Sequence, residues 1–384
     1  MYNIGFIIEQ ALGHQTHGQN LQKLVPLDPE VKASWGLPAW KTNGLLAKTP
    51  LIRSNWTMQA GLQARQMVAS MTRESHMDAL FFHSQITAVL SPDWLQKYPA
   101  VVSLDATPKQ YDSLGLFYEH ATGPEWLEQW KWRLNRTCFR RARQLVTWSQ
   151  WAKQGLVEEY EVPAEKVTVI PPGVDTAVWA QPGRDYHHDG PLKILFVGGN
   201  LERKGGLLLL DVFRQLNREG NNHLENNGSY RIANTPIELH LVTRDTVPDE
   251  PGVHVYNDMQ PNSPALKQLY RECDIFCLPT YGDCLPMVLS EAGAAGLPAI
   301  TTRVAAIPEI VLNDQTGFLI STGDGQALKD TLQTLLSDAD LRRMQGRQAV
   351  AQIQNSFDAG KNVTRLLDLL KETANRVDTA DPDG

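Results

Sequence analysis

The sequence predicts an α/β protein whose two domains are each built on a doubly wound parallel sheet. Short β-branched runs bounded by glycine and proline alternate with helical stretches, as buried parallel strands and their crossover helices do. The alternation breaks at residues 171–191, where the segment PPGVDTAVWAQPGRDYHHDGP is rich in proline, glycine and aspartate. A chain of 384 residues, at about 150 residues per domain, has room for two or three domains.

We therefore assign residues 1–178 to an N-terminal domain and 191–358 to a C-terminal domain, with 376–384 as a flexible tail. A last helix over about 359–375 is expected to pack back on the first domain. Strands are predicted at 3–8, 79–82, 100–104 and 144–148, and then at 193–197, 237–242, 253–256, 274–278, 298–302 and 317–320. A helix is predicted over 206–217. The polar segment 219–236 is expected at the N-terminal edge of the second sheet, away from the carboxyl edge where ligands bind.

Composition excludes several classes of protein. The chain carries 36 basic and 43 acidic side chains, a balance that disfavours a nucleic-acid-binding protein. Four cysteines in this length do not make a disulfide scaffold, and they are expected to stay reduced. The first residues lack the basic start of a signal peptide, and no apolar run approaches the ~18 residues of a membrane span. These observations predict a soluble, cytoplasmic protein.

Residues 198–205, GGNLERKG, follow a strand and open a helix. Glycines there let backbone amides approach an anion, and Arg203 and Lys204 can add full charges. The segment fits neither the G-x-G-x-x-G nor the Walker pattern, which weakens the case for dinucleotide or P-loop chemistry. The alternative is an ordinary strand-to-helix turn with surface basic residues.

Residues 281–291, YGDCLPMVLSE, place one carboxylate in a loop and a second inside the next helix. Pro286 suits the first turn of that helix, so Asp283 precedes it and Glu291 lies eight residues on. Two carboxylates and the free amides of a helix start can hold sugar hydroxyls and a diphosphate together. Two acids eight residues apart are nevertheless common, and spacing alone favours coincidence.

Four blocks together resemble the family-4 retaining glycosyltransferases of the GT-B fold. They are VTVIPPGVD, KILFVGGNLERKGG, the 283–291 block running into EAGAAGLPAITT, and AAIPEIVLNDQTGFLI, in the order and spacing of that family. The resemblance implies two Rossmann-like domains that face each other across a cleft, with a nucleotide-sugar bound mainly by the second. It also implies catalysis without a metal and without a cofactor other than the nucleoside-diphosphate sugar as co-substrate.

The resemblance assigns roles residue by residue. Arg203 and Lys204 match the basic pair that grips the diphosphate. Asp283 matches the acid that faces the transferred sugar, and Glu291 the acid that holds the ribose. The remaining donor-side candidates are Gly13, Gly199, Asn200, Leu285, Pro286, Met287, Val288 and Glu309.

The sequence departs from the family pattern at three positions. Asp283 is one methylene shorter than the usual glutamate, so its reach to the sugar changes. Gly199 stands where an arginine often follows the Phe-Val-Gly strand, which leaves more of the phosphate charge to Arg203 and Lys204. Asp105, in SLDATP, replaces a histidine often found after the fourth N-terminal strand, so no role is transferred from that histidine.

The first loop, 9–20, contains His14 and His17, which are expected to contact acceptor hydroxyls. The alternative is helix capping and surface polarity. Asp105 and His120 are further acceptor-side candidates, together with His83 and Tyr111, although a purely structural role is the favoured interpretation of each.

Residues 126–143 combine three tryptophans with six basic side chains. Such a helix can bind an anionic membrane surface, at the inner face of the membrane. The favoured interpretation is a helix packed on the core through Leu127, Trp130, Leu134 and Cys138, with a solvated basic face.

The predicted function is transfer of a sugar, with retention of configuration, from a nucleoside-diphosphate sugar to a hydroxyl of a carbohydrate, lipid or small-molecule acceptor. Two alternatives stay open. One is a nucleotide-sugar-binding scaffold with weak or no catalysis, and the other is a different GT-B enzyme such as a sugar-nucleotide epimerase. The sequence does not identify the base, the sugar or the acceptor.

Overall fold

The computed structural model describes residues 1–10, 14–40, 55–114, 123–221, 231–232 and 235–376. These residues form two compact units. The first consists of the described residues up to 113, from 123 to 172 and from 359 to 376. The second consists of those between 173 and 358, with Leu114.

The first unit contains a parallel sheet with six strands among the described residues, in the order β2-β1-β3-β4-β5-β6. The strands are β1 Tyr2–Ile7, β2 Val31–Gly36, β3 Ala79–Phe82, β4 Ala100–Leu104, β5 Gln144–Thr147 and β6 Val167–Val169. The helices between them are α1 His14–Leu24, α2 Trp56–Glu74, α3 Gln85–Ala88, α4 Pro92–Lys97, α5 Pro108–Ser113, α6 Glu125–Arg141 and α7 Gln150–Tyr160.

The second unit repeats this design. Its parallel strands run in the order β10-β9-β7-β11-β12-β13, and β8 pairs antiparallel with β9. The strands are β7 Leu192–Val197, β8 Arg231–Ile232, β9 Thr235–Val242, β10 Val253–Tyr256, β11 Ile275–Leu278, β12 Ala299–Thr302 and β13 Gly317–Ile320. The helices are α8 Thr176–Trp179, α9 Gly206–Asn221, α10 Pro264–Glu272, α11 Met287–Ala294, α12 Ile307–Ile310, α13 Gly325–Ser337 and α14 Ala339–Ser356.

Both faces of the first sheet are covered, so its strands read as nearly continuous apolar runs. One face carries Leu80, Phe82 and Val102 into a core shared with α2 and α6. The other carries Ile4 and Phe6 toward Leu366 and Leu370 of the last helix, α15 Ala359–Asn375. The C-terminal helix is therefore part of the first unit's core.

The segment 173–190 belongs to the second unit rather than forming a free linker. The Arg184 guanidinium donates to the carbonyl oxygens of Ala295 at 3.0 Å and Tyr270 at 2.8 Å. The Tyr186 hydroxyl donates to the Gly296 carbonyl at 2.9 Å. These bonds place the change of unit after Pro172, whereas the sequence analysis ends the first domain at 178.

Three strands were not predicted from the sequence. β2 is an edge strand whose residues 33–35 are half exposed, β6 has three residues, and β8 has two. Such segments lack the long buried run that marks a central strand. β8 lies within the polar segment 219–236, most of which is outside the described residues.

Most large apolar side chains of the described residues are buried within these two units. In the described part of the chain, each helix is too short or too polar to cross a membrane. The four cysteines, Cys138, Cys273, Cys277 and Cys284, are buried with free thiols.

Candidate functional site

The loop after β7 is shaped by hydrogen bonds from its own residues and from the end of β9. The Gly198 amide donates to the Val242 carbonyl at 2.9 Å, and the Leu201 amide donates to Asp245 Oδ2 at 2.6 Å. Asn200 Oδ1 accepts from the Arg203 amide at 2.7 Å. The Asn200 side chain, a donor-side candidate, thus holds the turn that presents the two following basic residues.

Gly205 ends this loop in a conformation that favours glycine. Its φ is +75°, and a Cβ there would lie 2.0 Å from the Pro279 carbonyl oxygen. The missing side chain lets the start of α9 pass directly against the chain that leaves β11. This close approach brings residues 203–204 beside residues 280–283.

Lys204, Arg203 and Asp283 lie together at the carboxyl edge of the second sheet. Lys204 Nζ donates to both oxygens of Asp283, at 2.6 Å to Oδ1 and 2.5 Å to Oδ2. Arg203 lies 3.8 Å from Asp283 Oδ1 and donates to the Gly282 carbonyl at 2.7 Å. The Thr280 hydroxyl donates to Asp283 Oδ2 at 3.1 Å. Two loops 79 residues apart therefore build one charged cluster.

The cluster keeps a positive balance, because two cations surround one carboxylate. The side chains of Lys204, Asp283 and Arg203 are 14%, 11% and 21% exposed. Charges with little access to water act more strongly on a bound ion than exposed charges do. The arrangement suits an anionic ligand that also carries hydroxyl groups for Asp283.

Glu291 lies inside α11 and is buried. Its Oε2 accepts a hydrogen bond from the Tyr270 hydroxyl at 3.0 Å. Burial raises the pKa of the Glu291 carboxyl to about 7, although the Tyr270 hydrogen bond and the charge of Lys267 act in the opposite direction. Tyr270 is itself fully buried, 5.7 Å between ring centres from Phe276. Sequence reasoning missed Tyr270, since no motif marks it.

The start of α11 offers backbone donors. Pro286 precedes the first helical residue, Leu285 and Met287 are buried, and Val288 is half buried. The first amides of a helix have no acceptor within the helix, so they are free for an anion or a hydroxyl. Glu309 lies in the first turn of α12, half buried, where its carbonyl accepts from Gln352 at 3.2 Å.

The carboxyl edge of the first sheet carries a cluster of rings. His14 and His17 of α1 pack against His83, with ring centres 5.2 Å and 4.9 Å from it. Trp148, after β5, lies 4.9–5.7 Å from all three imidazoles. The sequence analysis did not single out Trp148, which sits at the end of a predicted strand. Two further predicted residues, Gly13 and His120, lie outside the described residues.

Two imidazoles of this ring cluster, those of His17 and His83, are held neutral by burial. Burial and the neighbouring His14 lower the pKa of His17 to about 3. Burial, with His17 and His14, lowers the pKa of His83 well below its usual range. Neither ring nitrogen of His83 has a hydrogen-bond partner among the described residues, and the same holds for Nδ1 of His14 and His17.

Asp105 lies beside the ring cluster, and Glu9 follows β1 at the same edge of the sheet. Asp105 Oδ2 lies 3.8 Å from His14 Nε2 and accepts from the Tyr111 hydroxyl at 3.2 Å. Glu9 Oε1 accepts from Trp56 Nε1 at 2.6 Å, while Oε2 has no partner within the part of the chain described. The sequence analysis placed Glu9 in the first loop without giving it a role. This edge is therefore rich in buried donors and acceptors that a ligand can satisfy.

One group of described residues has the atoms and spacing of a metal site, although sequence spacing had indicated none. The oxygens of Glu238 and the ring nitrogens of His240 and His254 lie within 4.8 Å of one another. His254 pairs with His240 across neighbouring strands, which no local motif reveals. The two rings stack at 4.7 Å and 21°, and both ring nitrogens of His240 already have partners, the Tyr256 hydroxyl at 2.9 Å and Glu238 Oε2 at 3.3 Å.

Comparison with known proteins identifies the family. Residues 28–178 match the model of Glycosyltransferase Family 4, and residues 191–338 match the model of Glycosyl transferases group 1. The chain belongs to the group 1 glycosyltransferases. Among curated family members, the D-inositol 3-phosphate glycosyltransferase of Corynebacterium efficiens is 30% identical over 243 residues, 60% of this chain and 55% of that protein. The amylovoran biosynthesis glycosyltransferase AmsK of Erwinia amylovora is 31% identical over 45% of this chain and 42% of its own. The chain thus spans about half the length of the curated relatives it matches.

Solved structures identify the fold of this chain as GT-B. A sucrose-phosphate synthase from Thermosynechococcus elongatus superposes with a TM-score of 0.74 at 14% identity, over 97% of this chain and 99% of its own. The Anabaena protein HepE, in complex with UDP-glucose, superposes with a TM-score of 0.67 at 16% identity, over 97% of this chain and 100% of its own. The two parallel sheets are therefore the two Rossmann-like domains expected from the resemblance.

Helix α6 of this glycosyltransferase differs from the packing predicted for it. Trp126 and Trp130 are 71% and 54% exposed, whereas Trp130 had been assigned to the core. Cys138 and Phe139 are the buried residues of this helix. Beside them lies a groove of about 460 Å³ lined by Trp132, Arg133, Arg136, Thr137, Arg140 and Arg141.

Proposed function

We propose that this chain transfers a sugar from a nucleoside-diphosphate sugar to an acceptor hydroxyl, with retention of anomeric configuration and without a metal. The observation that carries the proposal is the Lys204–Asp283–Arg203 cluster at the carboxyl edge of the second sheet. It combines charge for a diphosphate with a fixed carboxylate for sugar hydroxyls. Membership of the glycosyltransferase family supports the same chemistry.

In this proposal the second unit stabilises the leaving group. Departure of the diphosphate from the anomeric carbon builds negative charge on its oxygens. Arg203, Lys204 and the first amides of α11 meet that charge with donors that are already in place. Such groups need no reorganisation during the reaction, which is the reason they lower the barrier more than solvent does.

Asp283 and Glu291 would orient the donor. Asp283 is fixed by Lys204 and Thr280, so its remaining lone pairs point in a defined direction toward a sugar hydroxyl. Glu291, held by Tyr270, would accept from the ribose hydroxyls. Glu309 and the amides of 285–288 complete the donor side. The departing phosphate can take the proton of the acceptor hydroxyl, so the mechanism requires no protein base.

The first unit would bind the acceptor at its ring cluster. Neutral imidazoles both donate and accept, and Trp148 offers a flat apolar face to a sugar ring or a similar molecule. Asp105 and Glu9 add acceptors for hydroxyl groups. These features suit a polyhydroxylated acceptor.

The experiment begins with a thermal-shift screen of the whole chain against UDP, GDP, ADP and their sugars. A donor that binds the folded state raises the melting temperature by mass action. The stabilising donor is then incubated with a panel of acceptors, and the anomeric configuration of the product is read by NMR with and without EDTA. Transfer with retention and without EDTA sensitivity supports the proposal. Binding without transfer indicates a scaffold, and conversion of the donor without an acceptor indicates an epimerase.

The proposal extends to peripheral membrane contact through residues 126–143. Two exposed tryptophans on α6 can enter the headgroup region, and the arginine-lined groove beside them can attract anionic lipids. Part of this charge is compensated, since Arg136 pairs with Glu161 and Lys131 with Glu128. Sedimentation with anionic vesicles that is lost in Trp126→Ala/Trp130→Ala supports the contact. Equal sedimentation of both proteins, or none, contradicts it.

A further inference from the structure

Gly199 leaves an open position at the start of the charged loop. Its φ is not among the positive values, so the backbone there accepts any L-residue. A Cβ built at Gly199 would meet only the Cδ and Nε atoms of Arg244, both at 3.8 Å, which is ordinary contact distance. The glycine is therefore not required by backbone geometry. A side chain at 199 would lie beside that of Arg244, which projects from the turn after β9.

The turn that carries Arg244 is fixed to the same loop. Asp245 Oδ2 accepts from the Leu201 amide at 2.6 Å. On the other side, Asn257 Nδ2 donates to the carbonyls of Thr243 at 3.1 Å and Asp245 at 3.0 Å. Arg244 thus projects from a clamped turn, and the end of β9 cannot move independently of residues 198–201.

Arg244 also differs from the two neighbouring cations in its partners. Lys204 is bound to both oxygens of Asp283, and Arg203 donates to Gly282 and lies near the same carboxylate. Within the described residues, the guanidinium of Arg244 is exposed and makes no hydrogen bond or ion pair. Its charge is available to a ligand without breaking an existing contact.

We infer that Arg244 binds the diphosphate of a nucleoside-diphosphate ligand. From the turn after β9 it supplies a positive charge that the glycine at position 199 cannot provide. The inference rests on the proposed function and assigns a residue of that same site. A guanidinium presents paired donors to phosphate oxygens, which a lone ammonium does not. The ligand class is a nucleoside diphosphate, free or carrying a sugar.

The test compares four proteins by calorimetric titration: wild type, Arg244→Ala, the double variant Arg244→Ala/Gly199→Arg, and Arg218→Ala. The probe is whichever of UDP, GDP and ADP binds wild type most tightly, with the matching monophosphate as a second ligand. Arg218 is an exposed cation in the last turn of α9, at the opposite end of the helix from the loop, and it controls for loss of charge.

Arg244→Ala is expected to weaken diphosphate binding by about 10- to 100-fold, as loss of a charge-assisted contact does, and to weaken monophosphate binding less. The double variant should regain about tenfold, and Arg218→Ala should stay within about twofold of wild type. Unchanged diphosphate binding in Arg244→Ala, with wild type binding well, overturns this inference alone. Failure of wild type to bind any of the three diphosphates overturns the proposed function and the inference with it.

Discussion

The carboxyl edges of the two sheets differ in how they treat buried polar groups. In the second unit each of the buried acids Asp283 and Glu291 has a partner: Asp283 accepts from Lys204, and Glu291 accepts from the Tyr270 hydroxyl. In the first unit the buried imidazoles of His83 and His17 are neutral, and several of their nitrogens lack a partner among the described residues. The polar groups of the second edge bond to one another, whereas the first edge has ring nitrogens without partners among the described residues, to which a ligand or water can bond.

The difference also gives the two units opposite responses to pH. Glu291 has a raised pKa, so the folded second unit holds a proton that the unfolded chain releases between pH 4.5 and about 7. His17 and His83 have lowered pKa values. Below pH 6.5 the unfolded chain therefore takes up protons that the folded first unit does not bind. The second unit therefore loses stability as pH rises, and the first loses it as pH falls. The pH dependence of stability therefore distinguishes the edge that offers charged groups from the edge that offers imidazole nitrogens.

The largest effect is expected from Asp283→Asn, which separates the two roles of the charged cluster. The change keeps the shape of the side chain but removes the negative charge beside Lys204. Turnover should fall about 100-fold because the donor sugar loses its fixed carboxylate. Binding of the nucleoside diphosphate should be unchanged or tighter, because a repelling charge is gone. Steady-state kinetics and calorimetry measure the two quantities.

The exposed Asp249→Asn serves as the control for Asp283→Asn, and it should leave both turnover and diphosphate binding as they are in wild type. A parallel loss of turnover and diphosphate binding in Asp283→Asn would show that Asp283 only shapes the loop.

Next in size is the pH dependence of stability that Glu291 produces. A pKa of about 7 against 4.5 in the unfolded chain stabilises the fold by about 3 kcal/mol at low pH, and this contribution is lost as pH rises from 4.5 through 7. Glu291→Gln removes the titrating group. We expect the unfolding free energy of wild type, relative to the variant, to drop by about that amount between pH 4.5 and 8, as measured by urea denaturation. Parallel pH profiles for the two proteins would rule out this assignment.

A smaller effect is expected from His83→Leu in the first unit. The substitution replaces a buried imidazole without partners by an apolar side chain of similar size. Its stability advantage over wild type should grow as pH falls from 6.5 to 5, because the unfolded wild-type chain takes up a proton there that the folded state does not bind. Urea denaturation at the two pH values gives the difference. His76→Ala, at an exposed histidine, provides the comparison. If the stability of His83→Leu relative to wild type changes with pH only as that of His76→Ala does, His83 is not held neutral.

Much of this organisation follows from the sequence, for a physical reason. Strands buried on both faces, such as Ala79–Phe82 and Ala100–Leu104, are almost entirely apolar, so they stand out as short continuous runs. β2 could not be found in this way, because VKASWG lies at the edge of the sheet with half-exposed positions. The attachment of residues 173–190 to the second unit was not predicted, since Arg184 and Tyr186 bind carbonyl groups far away in the chain.

The candidate site likewise contains residues marked by local motifs and residues that only long-range contacts bring together. Arg203, Lys204, Asp283 and Glu291 stand in short local motifs, and the sequence brought each of them forward as a candidate. Tyr270, Trp148 and Arg244 act through contacts with residues far away in the chain, such as the bond from Tyr270 to Glu291. Local spacing carries no information about such contacts, and only the register of the sheets reveals them.

The central claim is that the cluster around Lys204 binds the diphosphate of the donor. Titration of Lys204→Ala with the preferred nucleoside diphosphate tests it most directly, since the change removes one cation and uncovers the charge of Asp283. We predict binding at least tenfold weaker than in wild type for a Lys204→Ala protein that circular dichroism shows to be folded, with Arg218→Ala within about twofold of wild type. Binding of the diphosphate by a folded Lys204→Ala as tightly as by wild type would contradict the claim.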